Sequence, residues 1–144
     1  MNRSDEAEKL FRDGFNCSQA VFSAFALEMG IQVETAMKIA CAFGGGMRLG
    51  NTCGAVTGAL MAIGLKYGKS KADENEARDK TYALTKQFQD RFCKAKGSVM
   101  CRDLLGYDLS TPEGYEKAKE NQVFLKICPG LVKDAVAILE DILK

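Results

Sequence analysis

Helical spacing, broken again and again by glycine, runs through this chain. In "NCSQAVFSAFALEMG", Val21, Phe22, Phe25 and Met29 recur on one helix face, Asn16 stands where an N-cap belongs, and Gly30 ends the run. "SDEAEKLFRDG" predicts a shorter helix before it, capped by Ser4, with acids in its first turn and Gly14 after it. "VETAMKIACAFGG" predicts a third, with Met37, Ala40 and Cys41 on one side. Thr52 is expected to cap a fourth, through "CGAVTGALMAIGLKYG" to Gly68. "KADENEARDKTYALTKQFQDRFCKAKG" predicts the longest helix, its apolar stripe at Tyr82, Leu84, Phe88 and Phe92 and its end at Gly97. Ser98 opens a short turn, "VMCRDLLG", and Thr111 and Pro112 start a helix in "DLSTPEGYEKAKEN". The closing helix has Pro129 at its first position and buries Val132, Val136, Leu139 and Leu143. Strand-like alternation never lasts beyond a few positions, and no repeat or linker interrupts the pattern. The expected fold is all-α: a single-domain helical bundle of about six to eight helices over residues 1–144.

A chain of 144 residues buries enough surface to be stable without disulfides. With 47% hydrophobic residues and a net charge of +1, it reads as globular, with no overall field that would draw nucleic acid. "MNRSDEAEKLFRDGF" has no apolar run of the secretory kind, and the longest apolar stretches, near Ala20–Leu27 and Gly58–Leu65, are too short for a membrane span. A cytoplasmic protein is expected. The chain has no histidine. That excludes Ser-His-Asp and Cys-His catalysis, histidine-ligated zinc, and heme held through histidine. Chemistry must run on thiols, carboxylates, lysines or a bound cofactor.

Six cysteines are many for a reducing compartment, where they serve as metal ligands, redox thiols or core filler. They divide by position. Cys17 follows the capping Asn16, Cys53 follows Thr52, Cys101 lies in a first turn after Ser98, and Cys128 directly precedes Pro129. All four fall at expected helix N-termini, where unpaired N–H groups and the helix dipole favour thiolate over thiol. Thiolates attack disulfides and bind soft metals. Cys41, among Ile39, Ala40 and Phe43, is expected in the core, and Cys93 half exposed. The gaps between the four are long and contain no Cys-x-x-Cys, so neither a thioredoxin motif nor a zinc ribbon is present. A common site requires four helix starts to converge in space.

"FGGGMRLG" lacks both the lysine of a phosphate loop and a strand before it, and is expected to be a hinge or close-packing loop. It brings Arg48 near Cys53, where the guanidinium would stabilise a thiolate or an anionic cluster. Glycines at 54, 58 and 64 each weaken a helix by roughly 1 kcal/mol. They make sense if another backbone packs on that face, within the chain or across a homodimer. Arg48 and the backbone of Gly54 are the expected cofactor-binding positions. Tyr107 and Tyr115 are expected to pack or to close a turn.

"CGAVTG", Cys53 to Gly58, with "GFNCSQAVFSAF" before it and "CRDLLGYDLSTPEG" and "CPGLVKDAVAILEDIL" after it, resembles the redox-active family named for its C-GCAxxG-C-C cysteine pattern. The resemblance covers nearly the whole chain. It implies a small helical protein whose signature cysteines are Cys17, Cys53, Cys101 and Cys128, with Cys41 and Cys93 outside the pattern. The leading expectation is a redox protein in which these four form one site. They act either as dithiol/disulfide pairs, with Cys53 attacking, or as ligands of an iron–sulfur cluster or another thiolate-bound metal. Four thiolates suit a cluster, and the missing Cys-x-x-Cys disfavours fast exchange. A redox partner protein is implied. The alternatives are a non-redox zinc module and a plain helical interaction protein whose cysteines only pack.

Overall fold

Asn2, not Ser4, starts the first helix, α1 (Arg3–Arg12): its side-chain oxygen accepts the Asp5 N–H at 2.8 Å. Ser4 lies inside the helix, and its hydroxyl donates to the Lys133 carbonyl instead. All 144 residues are described in this computed structural model. The second helix, α2 (Cys17–Ala26), begins where the sequence places it. Gln19 N–H donates to the Asn16 side chain at 2.9 Å, and Asn16 N–H donates to Gln19 Oε1 at 3.0 Å. Such a reciprocal cap is worth about 1 kcal/mol. It also ties α2 to its neighbour: Asn16 Nδ2 donates to the Cys41 carbonyl and Gln19 Nε2 to the Met37 carbonyl.

The third helix, α3 (Val33–Ala40), stops before Cys41 and tightens into a 3-10 turn, Cys41–Phe43. Then come α4 (Gly54–Tyr67), α5 (Asn75–Lys96), α6 (Cys101–Leu105), α7 (Pro112–Glu120), α8 (Val123–Lys126) and α9 (Cys128–Ile142). The expected all-α bundle is what forms. Its only extended pairing is an isolated antiparallel bridge, Thr52 with Met100. One turn, α8, was not expected; it runs into α9 through Ile127. Thr111 caps α7 as expected, accepting the Gly114 N–H at 3.0 Å ahead of Pro112.

Thirty buried hydrophobic residues form one cluster. Phe25 of α2, Ile63 of α4, Phe88 and Phe92 of α5, and Val132, Val136 and Leu139 of α9 are among its fully enclosed side chains. Each contributes about 1.5–3 kcal/mol by leaving water. Phe88 and Phe92 stack at 6.0 Å between centroids, one helical turn apart. Tyr82 does not join them and is 66% exposed. It lies six residues before Phe88, about 240° around the helix at 100° per residue, so it faces away. No helix is long and apolar enough to cross a membrane.

The α2–α4 crossing is the most extensive contact of the bundle. A Cβ on Gly58 would lie 2.7 Å from the Ser18 carbonyl oxygen, and one on Gly54 would lie 3.0 Å from Ser18 N and 3.2 Å from Cys17 Cβ. Both glycines are there so that two backbones can touch. Gly64 is different: nothing lies within 4 Å of where its Cβ would be. Gly64→Ala is therefore expected to stabilise the protein by about 0.5–1 kcal/mol through helix propensity alone. Chemical denaturation measures it, and a loss of stability would contradict this view of the α4 face.

Candidate functional site

Four helices begin at one cavity, and each begins on a cysteine. Cys17 is the first residue of α2, Cys101 of α6 and Cys128 of α9, while Cys53 is itself the N-cap of α4. Thr52, the expected cap, makes no capping hydrogen bond; its backbone is taken up by the bridge to Met100. That bridge sets two of the sites in register. Cys53 N–H donates to the Val99 carbonyl at 2.7 Å, and Cys101 N–H to the Asn51 carbonyl at 2.6 Å. The starts of α4 and α6 are thus pinned side by side. Gly54, lacking a Cβ, lets Cys17 settle against the start of α4.

All four signature thiols are buried and line one cavity of about 410 Å³. Its wall includes Phe11, Leu105, Tyr115, Phe124 and Leu131, with Gly54 and Arg48 also facing it. Arg48 is its only formally charged residue, and no carboxylate lines it. A groove of about 510 Å³ near Arg3, Lys66 and Glu140 is larger but contains no thiol.

The four thiols are not equivalent. Its neighbours Cys128 and Cys53, then burial, push the proton affinity of Cys17 far above the ordinary thiol range. Cys53 is shifted the other way. The hydrogen bond from Cys17 lowers its pKa most, and the Ala55 and Val56 N–H groups at the open end of α4 add to this against the cost of burial. The backbone N–H groups of Ala55 and Val56, not that of Gly54, favour its ionisation; Gly54, expected to supply a donor, supplies close approach instead. Cys101 is pushed up to about 12, chiefly by burial, then by the nearby Cys53 and Cys128. Of the cavity thiols, the surroundings favour ionisation at Cys53 and hold the proton on Cys17.

No group of three or more cysteine or carboxylate side chains stands close enough to hold a metal ion. All six cysteines are free thiols. Cys41 is not in the core. Because α3 ends at Ala40, the 3-10 turn carries Cys41 outward, and it stands exposed on the rim of the same cavity. Cys93 is exposed on α5, away from the cavity.

The glycine-rich loop is a left-handed turn. Gly45 (φ 64°), Gly46 (φ 62°), Met47 (φ 56°) and Arg48 (φ 65°) all adopt positive φ in succession. Arg48 leaves this turn to stack its guanidinium 4.7 Å above the Tyr115 ring, and Tyr115 packs at 5.6 Å on Phe124. Tyr115 and Phe124 carry no signal in the sequence that separates them from ordinary packing residues.

No curated protein and no solved structure matches the chain. Residues 15–142 match a family model described as "Putative redox-active protein (C_GCAxxG_C_C)", a stretch that contains all four helix-start cysteines. With nearly the whole chain matched, and the pattern cysteines gathered at one cavity, the protein belongs to the C_GCAxxG_C_C family.

Proposed function

We propose that the protein is a thiol-based redox protein whose exchanging pair is Cys53 and Cys17. The observation that carries this is the placement of Cys17, first residue of α2, and Cys53, N-cap of α4, in one cavity at the tight α2–α4 crossing, where a Cβ on Gly54 would lie 3.2 Å from Cys17 Cβ. Exchange needs a thiolate to attack, a second thiol within reach to resolve, and a proton available for the departing thiolate. Cys53 supplies the first and Cys17 the other two. Cys128, which neighbours Cys17 in the same cavity, is the next thiol in line. A dithiol partner would return the pair to its reduced form, in keeping with the expected cytoplasmic setting, which holds such thiols reduced.

A single zinc ion finds no support, because tetrahedral coordination needs sulfurs about 2.3 Å from one centre and no such group exists. An iron–sulfur cluster is the second reading. It is favoured by the placement of all four thiols around one largely apolar cavity. Cys17, Cys53, Cys101 and Cys128 would hold it, and it would supply a one-electron couple.

Anaerobic preparation followed by one equivalent of diamide tests both. The thiol reading predicts a colourless protein without iron that loses one pair of free thiols. Visible absorption with matching iron and sulfide would establish the cluster instead. A colourless protein whose four cavity thiols all survive the oxidant would rule out both.

A further inference from the structure

Arg48 is held in a backbone conformation that side chains rarely adopt. Two consecutive non-glycine residues, Met47 (φ 56°) and Arg48 (φ 65°), sit in left-handed geometry that L side chains disfavour. The guanidinium of Arg48 stacks 4.7 Å above the Tyr115 ring, a modest attraction at an exposed side chain. No carboxylate forms an ion pair with Arg48. Strain that local contacts leave uncompensated marks ligand clamps and active sites. Here it places a single positive charge at a cavity that holds no acid and onto which the long helices α2, α4 and α9 open their N-termini. The thiols at its base are out of reach of a folded protein's surface. Cys53 is 2% and Cys17 8% exposed. A volume of about 410 Å³ falls within the range of small-molecule pockets, about 300–1,000 Å³.

We propose that the cavity takes a small organic disulfide carrying an anionic group, with Arg48 reading the anion while the disulfide reaches Cys53. This rests on the thiol reading of the site. The apolar body of the ligand lies against Tyr115 and Phe124. The Cys53 thiolate attacks one ligand sulfur, the ligand S–S bond breaks, and one half departs as a thiolate. The Cys17 sulfur then attacks the Cys53 sulfur and displaces the second half, its proton leaving on one of the two product thiols. Two protein thiols are oxidised to one disulfide and the ligand disulfide is reduced to two thiols. An external dithiol restores the protein pair by the same exchange.

The test uses the reduced full chain and three probes of one size class: dithiodipropionate, an anion; bis(2-hydroxyethyl) disulfide, neutral; and cystamine, a cation. Each rate is divided by that probe's rate with a free small thiol, which removes intrinsic reactivity. Within each protein the neutral probe is the reference, so changes in folding or thiol reactivity cancel. The anion is expected to react about tenfold faster than the neutral probe, and the cation slower. In Arg48→Gln the anion's advantage is expected to fall to about one, and 0.5 M salt is expected to shrink it in the unaltered protein. An anion-to-neutral ratio near one, or a ratio that Arg48→Gln leaves in place, would overturn the assignment while sparing the thiol reading. Failure of all three probes to modify Cys53 would overturn both together.

Discussion

Cys53→Ser is expected to lower the rate of exchange with small disulfides by at least about a thousandfold, because a serine hydroxyl stays protonated where the thiol ionises. The loss will not come from unfolding. Cys53 already occupies the N-cap of α4, and serine is among the best N-cap residues, so the helix start is kept. Cys17→Ser should behave differently. Its first step survives, and the mixed disulfide on Cys53 accumulates because the resolving sulfur is gone. The pH dependence follows from the direction of the Cys53 shift. Thiolate is the reactive form, so the rate falls as pH falls through its pKa. That pKa is lowered by the Cys17 hydrogen bond and the Ala55 and Val56 N–H groups. The midpoint therefore lies on the acid side of an ordinary thiol, about 8.5, and moves up in Cys17→Ala, which removes the Cys17 donor. Stopped-flow rates across pH measure it; a midpoint at or above the ordinary value would contradict the capping account.

Gly58→Val carries the largest expected effect on the fold. Its Cβ would meet the Ser18 carbonyl oxygen at 2.7 Å and Ser18 Cα at 3.1 Å. Both belong to the backbone of a fully buried residue, so neither can swing aside. The two helices must separate, and overpacking of this kind costs about 3 kcal/mol. For a chain of this size that lowers the melting temperature by about 10 °C. The effect reaches the site directly, since α2 carries Cys17 and α4 carries Cys53: oxidation of the pair should slow even below the melting transition. Gly58→Ala should be milder, because better helix propensity offsets part of the clash by about 1 kcal/mol. A Gly58→Val protein as stable as the parent would show that the crossing is looser than described.

Much of this arrangement is written locally, and those parts are legible in the sequence. Asn16 with Gln19 three residues on announces the start of α2, and Thr111-Pro112 announces α7, because capping depends on neighbours in the chain. The division of six cysteines into four at helix starts and two elsewhere is legible for the same reason. What lies beyond is set by contacts distant in sequence. Thr52 is a better cap by type than cysteine, yet the bridge to Met100 draws it into extended backbone and leaves the cap to Cys53. Cys41 continues the apolar spacing of α3, but the helix stops one residue earlier and the tighter turn rotates it to the surface. Met47 and Arg48 in left-handed geometry defy their own preferences, so no propensity could place them there. Convergence of the four thiols depends on the α2–α4 crossing and on the Val99 and Asn51 carbonyls, none of which is adjacent to a cysteine it positions except through folding.

Peptide mapping by mass spectrometry after stoichiometric oxidation of the reduced protein addresses the pairing itself. A disulfide joining the peptides of Cys17 and Cys53 as the first product is the expected result, with Cys41 and Cys93 still free. First products that join Cys41 or Cys93 between molecules, with Cys17 and Cys53 untouched, would mean that the helix starts do not bring a reactive pair together.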